Sequence, residues 1–264
     1  MATQNLGTKN RGNEDGRERV LPRIRAGSAM NLILLFETDF LTPGRVRLEG
    51  RRLAHVMEVH RAAVGDSLTV GIINGRMGHG VVTRLDQAAL ELDVLLDQDP
   101  PPKLPLTLIL ALPRPKVLNR ALAAATSLGV ARIVLLNAWK VEKSYWKSPR
   151  LSDENLMLQR VIGLEQAKDT VLPELRLARF FRSFLEDELP TLMKDTLSLV
   201  AHPGVADRCP RSVSKPTTLA IGPEGGWLDA EIQSLINIGF QPVDLGPRIL
   251  RVETVLASLV GRLC

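Results

Sequence analysis

Cysteine, histidine and aromatic residues are scarce in this 264-residue chain, which has two cysteines, four histidines, one tyrosine, three tryptophans and six phenylalanines. Cys209 and Cys264 lie far apart, with no Cys or His beside them at metal-ligand spacing. The scarcity excludes a disulfide framework, and the spacing predicts no metal site. A reducing compartment suits such a chain.

Long apolar runs are also missing. The longest, Leu32–Phe36 and Leu104–Leu112, have the length of strands, so we predict no membrane span. The basic N-terminus is not followed by the apolar stretch of a secretory signal. We therefore expect a cytoplasmic protein without a membrane partner.

Excess charge of one sign is small, and its distribution is uneven. The formal net charge is +5. Residues 1–29 and 103–264 are basic, whereas residues 30–102 hold more acids than bases. This balance permits an anionic partner such as RNA without identifying one, because many basic proteins bind no nucleic acid.

Residues 1–29 are polar and have no hydrophobic periodicity, which predicts a disordered extension. The apolar segment that begins at Met30 is typical of an opening strand. We expect the extension to be dispensable, or translation to start at Met30, and intact-mass measurement of the native protein decides between them.

Residues 30–99 contain short alternating runs and one brief helical pattern, which predict a small β-barrel. Asn74-Gly75 is a hairpin signal. The three prolines from Pro100 predict a stiff linker over residues 100–105. The predicted strands are Arg45–Leu48, Ser67–Ile73, Gly80–Leu85 and Ala89–Leu95, and the predicted helix is Arg51–Ala62.

Residues 106–264 alternate between strand and helix patterns, which predicts an α/β domain with a parallel sheet. The predicted strands are Leu106–Leu112, Ile133–Leu136, Glu174–Ala178, Leu197–Ala201, Thr218–Ile221 and Val243–Leu245. The predicted helices are Lys116–Leu128, Ser152–Lys168, Phe181–Lys194, Leu228–Ile238 and Glu253–Arg262.

Three of these strands end in loops broken by glycine and proline. The loops contain His202-Pro203-Gly204, Ile221-Gly222-Pro223-Glu224-Gly225-Gly226, and Leu245-Gly246-Pro247-Arg248-Ile249-Leu250. Glycine and proline let backbone groups approach a ligand closely, so three such loops from neighbouring strands predict a small-molecule pocket. Alternatively, each is only a sharp strand-to-helix turn. A dinucleotide or P-loop site is disfavoured, because neither glycine fingerprint is present.

In this order and spacing, the three segments, the last continuing into Arg251-Val252-Glu253-Thr254, resemble the signature of the bacterial 16S ribosomal RNA (uracil-N3)-methyltransferases. That family belongs to the SPOUT superfamily of knotted methyltransferases. The likeness covers about residues 30–264 and is strongest after Leu197. It implies a PUA-like barrel over residues 30–99 that grips rRNA, and a SPOUT α/β domain with a trefoil knot over residues 106–264.

The resemblance further implies S-adenosylmethionine as cofactor, small-subunit rRNA or the 30S subunit as substrate, and a homodimer built across the knots. The cofactor-binding positions it implies are His202, Pro203, Ile221, Gly222, Pro223, Glu224, Gly225, Gly226, Leu245, Gly246, Arg248, Ile249 and Leu250.

Methylation of a uracil ring nitrogen requires alignment of the reacting atoms and loss of the N3 proton. Our hypothesis is that Arg251 stabilises negative charge on a uracil carbonyl, and that Glu224 or Glu253, beside Thr254, accepts the proton. Alternatively, Glu253 and Thr254 cap the last helix, and Glu224 serves the helix at 228–238.

Two surfaces are candidates for RNA contact. Cations and aromatic residues interleave around Trp139, which suits phosphates and unpaired bases; Trp139 and Trp146 could instead pack under a loop or at a dimer interface. In the barrel, arginines would contact phosphate, while His55 suits a packed or capping role better. Gln166 is a further candidate, although a solvated helix face also explains it. The residues predicted to contact RNA are Lys140, Lys143, Tyr145, Trp146, Lys147, Arg45, Arg47, Arg52 and Arg61.

Several positions depart from the family pattern without touching the cofactor loops: Ala124, Ser127, Asp169, Leu228 and Val255. They concern substrate contacts and the identity of the target nucleotide. Two other functions remain open: a non-catalytic ribosome-assembly factor, and a SPOUT methyltransferase that acts on another nucleotide such as a tRNA ribose.

Overall fold

The computed structural model describes residues 32–264. The predicted extension at residues 1–29 and the start at Met30 lie outside this range. The described chain forms two six-stranded sheets, one mainly antiparallel and one parallel, joined through a long helix.

The first sheet has the order β1-β4-β5-β6-β3-β2 and is antiparallel except for the β1–β4 pair. Its buried side chains form a separate core that includes Val46, Leu68, Val70 and Leu92. The elements are β1 (Ile33–Leu35), β2 (Phe40–Thr42), β3 (Arg45–Leu48), α1 (Gly50–His55), β4 (Ser67–Ile72), β5 (Met77–Leu85) and β6 (Leu90–Gln98).

The predicted hairpin at Asn74-Gly75 is confirmed: Gly71 pairs with Met77, and Asn74 takes a left-handed φ of 57°. The predicted helix at 51–62 is shorter in the structure, because α1 passes into a π-helical turn (Val56–His60) and Arg61 reverses the chain at φ 46°. Within the described residues, β1 and β2 end the strand order without pairing to each other, so the ladder is not continuous around a barrel.

The second sheet confirms the predicted parallel arrangement, with the order β12-β10-β11-β7-β8-β9. Its strands are β7 (Leu104–Ala111), β8 (Val130–Leu136), β9 (Glu174–Ala178), β10 (Leu197–Ala201), β11 (Thr217–Ile221) and β12 (Gln241–Val243). The helices are α2 (Pro115–Ser127), α3 (Asp153–Ala167), α4 (Phe181–Ser183), a π-helical turn (Phe184–Glu188), α5 (Leu189–Met193), α6 (Asp229–Asn237) and α7 (Val252–Leu263).

Several strand boundaries differ from prediction. β7 begins at Leu104, two residues before the predicted start, because Leu104 pairs with Val130. The last strand ends at Val243 rather than Leu245. Asp244 then forms an isolated bridge with Arg208, and its carboxylate accepts a hydrogen bond from the Gly246 N–H, so we assign it to the site and not to the strand.

Helix α3 is fixed at both ends and joins the two sheets. Ser152 caps its first turn by accepting a hydrogen bond from the Asn155 N–H (3.2 Å). Val161 and Leu164 pack against Leu32 and Leu34 of the first sheet. The Arg51 guanidinium adds a two-point contact to the Glu165 carboxylate, with both distances 3.0 Å.

A buried ion pair accounts for Asp169, one of the positions that departs from the family pattern. Asp169 follows α3 and lies 2.7 Å from Lys103 Nζ, with both side chains largely buried. Lys103 precedes β7, so the pair fixes the chain at the point where the two sheets meet.

Candidate functional site

Three loops meet at the carboxyl edge of the parallel sheet. β12, β10 and β11 are neighbours and run in the same direction, so the loops that follow them leave the sheet side by side. Together with α2 and α7 they enclose a cleft of about 730 Å³, a size suited to a cofactor. The lining includes Val117, Ala201, Trp227, Val243, Val252, Val255 and Leu259 as well as the residues discussed below.

The predicted cofactor residues converge on this cleft. His202, Pro203, the whole segment from Ile221 to Gly226, Leu245, Arg248, Ile249 and Leu250 all line it. Gly246 lies behind the lining, and its N–H donates to Asp244. The segments therefore come together in space as the loop pattern predicts.

The second loop packs around a tryptophan that the sequence did not single out as a site residue. Trp227 is 4% exposed. A Cβ at Gly222 would lie 3.1 Å from its ring, so Gly222 permits this close contact. The buried indole Nε1 has no hydrogen-bond partner within the described chain, and it lines a cleft where a ligand acceptor would satisfy it.

One carboxylate ties the first loop to the third. Asp244 Oδ1 accepts from the Gly246 N–H (3.0 Å), and Oδ2 accepts from the Gly204 N–H (3.4 Å). Arg208 Nη1 lies 3.5 Å from Oδ2. These partners, the Gly246 N–H foremost, lower the pKa of Asp244 against the opposing effect of burial. Asp244 is thus an ionised latch between the two loops.

The two candidate proton acceptors both contact α2, which sequence reasoning did not place at the site. Glu224 Oε1 accepts from the Arg114 N–H (3.0 Å) at the start of α2. Glu253 Oε1 lies 3.1 Å from Arg120 Nη2. Arg114 and Arg120 both line the cleft. No sequence signal identifies them, because their placement depends on which helix packs against the loops.

The structure also tests the predicted capping roles. The first turn of α6 is capped by Glu231, whose Oε2 accepts from the Leu228 N–H (2.8 Å), so the suggestion that Glu224 serves this helix is wrong. Arg251 is the residue that precedes α7, and the structure gives it no side-chain capping bond. The side chain of Glu253 instead pairs with Arg120, while Thr254 is exposed outside the cleft lining.

Two cleft-lining arginines are exposed and unpaired. Within residues 32–264, neither Arg248 nor Arg251 has a carboxylate at ion-pair distance, in contrast to Arg120. Both guanidinium groups are therefore available to an anionic ligand or to developing negative charge.

The predicted basic and aromatic segment lies beside the second loop. Lys140 Nζ donates to the Gly225 carbonyl (2.8 Å). Trp146 is packed: its Nε1 donates to Asn137 (2.8 Å), and Arg179 lies over its ring at 5.0 Å. Tyr145 donates to Glu142 (3.0 Å), and burial together with that acid raises its pKa. Lys143 and Lys147 are exposed.

The arginines predicted to contact RNA in the first sheet differ in their availability. Arg52 is held by Asp39 and by the Leu34 carbonyl, and it covers the Phe36 ring. Arg45 and Arg47 are engaged with acids, at 3.2 Å from Glu91 and 2.9 Å from Glu49. Arg61 is exposed at the end of the π-helical turn. Gln166 is engaged in an interaction of its own.

Residues 32–264 hold no group of three or more His, Cys, Asp or Glu side chains placed to share a metal ion. The helices of this range are all too short or too polar to cross a bilayer.

The donor set of the cleft suits S-adenosylmethionine. That molecule offers an adenine and a ribose with acceptor atoms, a charged amino-acid end and a sulfonium. The cleft supplies an unsatisfied indole N–H at Trp227, glycine-rich backbone, apolar side chains such as Ile221 and Leu259, and the free arginines. The residues present therefore fit this cofactor.

The chain is similar to known proteins over most of its length. Residues 100–263 match the family described as RNA methyltransferase domain. The chain is 31% identical over 233 residues to ribosomal RNA small subunit methyltransferase E of Treponema pallidum, an alignment that covers 86% of this chain and 88% of the relative.

Two solved structures share the fold. The Neisseria gonorrhoeae ribosomal RNA small subunit methyltransferase E bound to S-adenosylmethionine superposes with a TM-score of 0.69 at 24% identity, covering 88% of this chain and 95% of that one. A Legionella pneumophila protein in complex with the same cofactor gives a TM-score of 0.67 at 23% identity, covering 87% and 95%.

Proposed function

Because this chain belongs to the RNA methyltransferase family that includes ribosomal RNA small subunit methyltransferase E, we propose that it transfers a methyl group from S-adenosylmethionine to N3 of a uridine in 16S rRNA. The observation that carries this proposal is the convergence of three glycine- and proline-broken loops on one cleft with two unpaired arginines. The enzyme works in the cytoplasm on free small-subunit rRNA or on the 30S subunit.

The cofactor supplies an activated methyl group on a sulfonium, and the protein supplies position and electrostatics. The glycines of the second loop let backbone groups approach the ligand, and Trp227 offers its indole N–H. Asp244 holds the first and third loops at a fixed separation. Fixed walls matter because in-line transfer is sensitive to small displacements of the reacting atoms.

Removal of the N3 proton leaves negative charge that the ring shares with its carbonyl oxygens. Arg251 stands at the start of α7, on the cleft wall and without a carboxylate partner among the described residues. We assign it the role of stabilising this charge, as a preorganised donor does in other enzymes. Arg248, on the same loop, reinforces the positive potential.

Glu253 is our first choice for proton acceptor. Its carboxylate lines the cleft, and Arg120 holds one of its oxygens at 3.1 Å. Glu224 is the second choice, because its Oε1 already accepts from the backbone of α2. Thr254, next to Glu253, is retained as a lesser catalytic candidate.

The organisation of the chain completes the proposal: a dispensable extension (1–29), a PUA-like RNA-binding unit (30–99), a linker (100–105) and a SPOUT domain (106–264). A trefoil knot is supported by the end of α7, where Arg262 and Leu263 carbonyls accept from Ser212 (3.0 Å) and Val213 (2.6 Å). Through these bonds the segment between β10 and β11 contacts the end of the C-terminal helix, as a knotted path of the chain requires. The proposal also includes a homodimer, and the mass determined by analytical ultracentrifugation tests it.

The deciding experiment compares rRNA nucleoside digests from a deletion strain and its parent by mass spectrometry. Loss of 3-methyluridine, restored by the plasmid-borne chain, supports the proposal, and an unchanged digest refutes the assigned substrate. Calorimetry with S-adenosylmethionine separates the enzyme from a non-catalytic assembly factor, because a pure RNA binder gives no heat of cofactor binding.

Arg251→Ala tests the mechanism. We expect a fall in methylation rate of about 100-fold or more, the size measured when a charge-stabilising donor is removed, with unchanged cofactor affinity. Undiminished methylation by a variant that still binds cofactor would remove Arg251 from the reaction.

A further inference from the structure

The most exposed large apolar side chains lie along one edge of the parallel sheet. Among residues 32–264 they are Ile249 (81%), Trp139 (80%) and Phe180 (74%). They follow β12, β8 and β9, so all three lie at the carboxyl edge of the parallel sheet. Ile249 belongs to the cleft itself, whereas nothing in the site described above uses Trp139 or Phe180.

Both rings project from well-anchored backbone. The Trp139 N–H donates to Oε1 of the buried Glu231 (2.8 Å). The next residue, Lys140, donates to the Gly225 carbonyl of the second loop (2.8 Å). Trp139 is therefore held against the cleft wall while its indole stays in solvent.

Phe180 lies on the neighbouring strand end. The Asn137 N–H donates to the Ala178 carbonyl (2.9 Å), which aligns the segments that carry the two rings. The residue after Phe180, Phe181, contacts Trp227 with ring centroids 6.3 Å apart. Phe180 thus continues the surface that begins at Trp139, outside the second loop.

Exposed cations lie close in sequence to the two rings. They are Lys140, Lys143, Lys147, Arg150 and Arg179, and the acid within residues 139–150 is Glu142. Arg179 extends over Trp146. An exposed ring bordered by positive charge suits a single-stranded polyanion whose bases have flat faces, and it does not suit an apolar protein surface.

We propose that Trp139 and Phe180 form a stacking platform for unpaired RNA bases that flank the target nucleotide, while the surrounding cations contact phosphates. The platform rests on the proposed function and adds to it the form of substrate: a single-stranded or splayed segment at the cleft mouth. Bases in a duplex are stacked on each other and cannot reach the rings.

The test measures binding of a single-stranded 12-nucleotide oligouridylate and of a 12-base-pair RNA duplex. Trp139→Ala is expected to weaken oligouridylate binding about 5- to 100-fold, the range for loss of one base–aromatic stack, and to leave duplex binding unchanged. Phe180→Ala acts in the same direction. Trp139→Phe keeps a ring and stays within about threefold of wild type.

Two controls separate stacking from other causes. Leu158→Ala removes another exposed apolar side chain (38% exposed), on α3 and outside the proposed RNA-binding unit, and leaves both affinities unchanged. Trp139→Ala keeps the salt dependence of binding, whereas Lys143→Ala reduces the slope of log K against log salt concentration by about 0.7.

Cofactor calorimetry on the same variants separates this inference from the proposed function. The function is overturned if the wild-type protein gives no heat of cofactor binding, or if 3-methyluridine is unchanged in the deletion strain. The platform is overturned if the wild type binds cofactor but binds the oligouridylate no more tightly than the duplex. It is also overturned if Trp139→Ala binds the oligouridylate as tightly as the wild type does. If Trp139→Ala changes the sedimentation coefficient and leaves RNA affinity unchanged, the surface binds a second copy of the chain, and the platform is likewise overturned.

Discussion

At the scale of single residues, three carboxylates shape this site by accepting hydrogen bonds from backbone N–H groups. Asp244 joins two loops, Glu224 joins the second loop to α2, and Glu231 joins the start of α6 to Trp139. Each accepts from backbone N–H groups that the elements leave unpaired at their ends. Such carboxylates fix loop separation before any ligand binds.

Asp244→Asn tests this view. The amide keeps one acceptor oxygen but loses the charge that two N–H groups and Arg208 stabilise, so we expect cofactor affinity to fall about tenfold, in line with about 1.5 kcal/mol for a hydrogen bond to a charged group. Calorimetry with S-adenosylmethionine measures it. Asp207→Asn, on the exposed segment between β10 and β11, is the matched control and should bind as wild type.

The stabilisation that the Asp244 carboxylate gives to the folded protein depends on pH, and the sign of this dependence follows from its pKa. The pKa of Asp244 is lowered in the folded protein, so its stabilisation is complete above the ordinary carboxyl pKa of about 4 and is lost as the pH falls from there through the folded pKa. Urea midpoints of wild type and Asp244→Asn should differ at pH 7 and converge as the pH drops below about 4. If the difference between the two urea midpoints stayed constant from pH 7 to below about 4, the ionised Asp244 carboxylate would not be what links the loops.

At the scale of secondary-structure elements, the contact between α2 and α3 positions the cleft wall. A Cβ at Gly163 of α3 would lie 2.6 Å from the Ala123 carbonyl oxygen and 2.7 Å from Thr126 Cβ. Only glycine allows this approach of two helix backbones. Because α2 carries Arg114 and Arg120 into the cleft, the approach also sets the position of both arginines.

Gly163→Ala should lower the free energy of unfolding by about 1–2 kcal/mol, since a clash with backbone costs about 1–3 kcal/mol and exceeds the gain of about 1 kcal/mol from alanine in a helix. Gly261→Ala on α7 is the matched control, because nothing lies within 4 Å of its added Cβ. It should raise stability by about 0.5–1 kcal/mol. Denaturant unfolding measures both, and equal shifts would contradict the close contact.

The elements themselves were largely predictable from sequence. β9 and β10 agree with prediction at both ends, since apolar runs between turn residues define buried strands. Strand order, by contrast, follows from tertiary packing, and so does the placement of Arg114, Arg120 and Asp244 at the site. The three loops that line the cleft could be predicted because glycine and proline carry a local signal, whereas an arginine or aspartate at a loop edge carries none.

At the scale of the whole molecule, a small buried cluster joins the first sheet to α3, which packs beside the parallel sheet. Leu32 and Leu34 of the first sheet pack with Met77 against Val161 and Leu164 of α3. The Leu32 N–H also donates to the Glu165 carbonyl (3.0 Å). This shared cluster is largely buried, so separating the sheets exposes apolar surface, and we expect the two parts to unfold together.

Leu34→Ala tests that coupling, because Leu34 lies in the first sheet whereas all three tryptophans lie between residues 139 and 227. Leu34 is 0% exposed, and its truncation should cost about 3 kcal/mol. In a coupled molecule this lowers the midpoint of the tryptophan fluorescence transition by about 6–12 °C. Leu41→Ala, 53% exposed on β2 of the same sheet, should leave the midpoint within about 2 °C. An unchanged tryptophan transition in Leu34→Ala, with a separate early loss of β-sheet circular dichroism, would mean that the parallel sheet and its cleft fold independently of the first sheet.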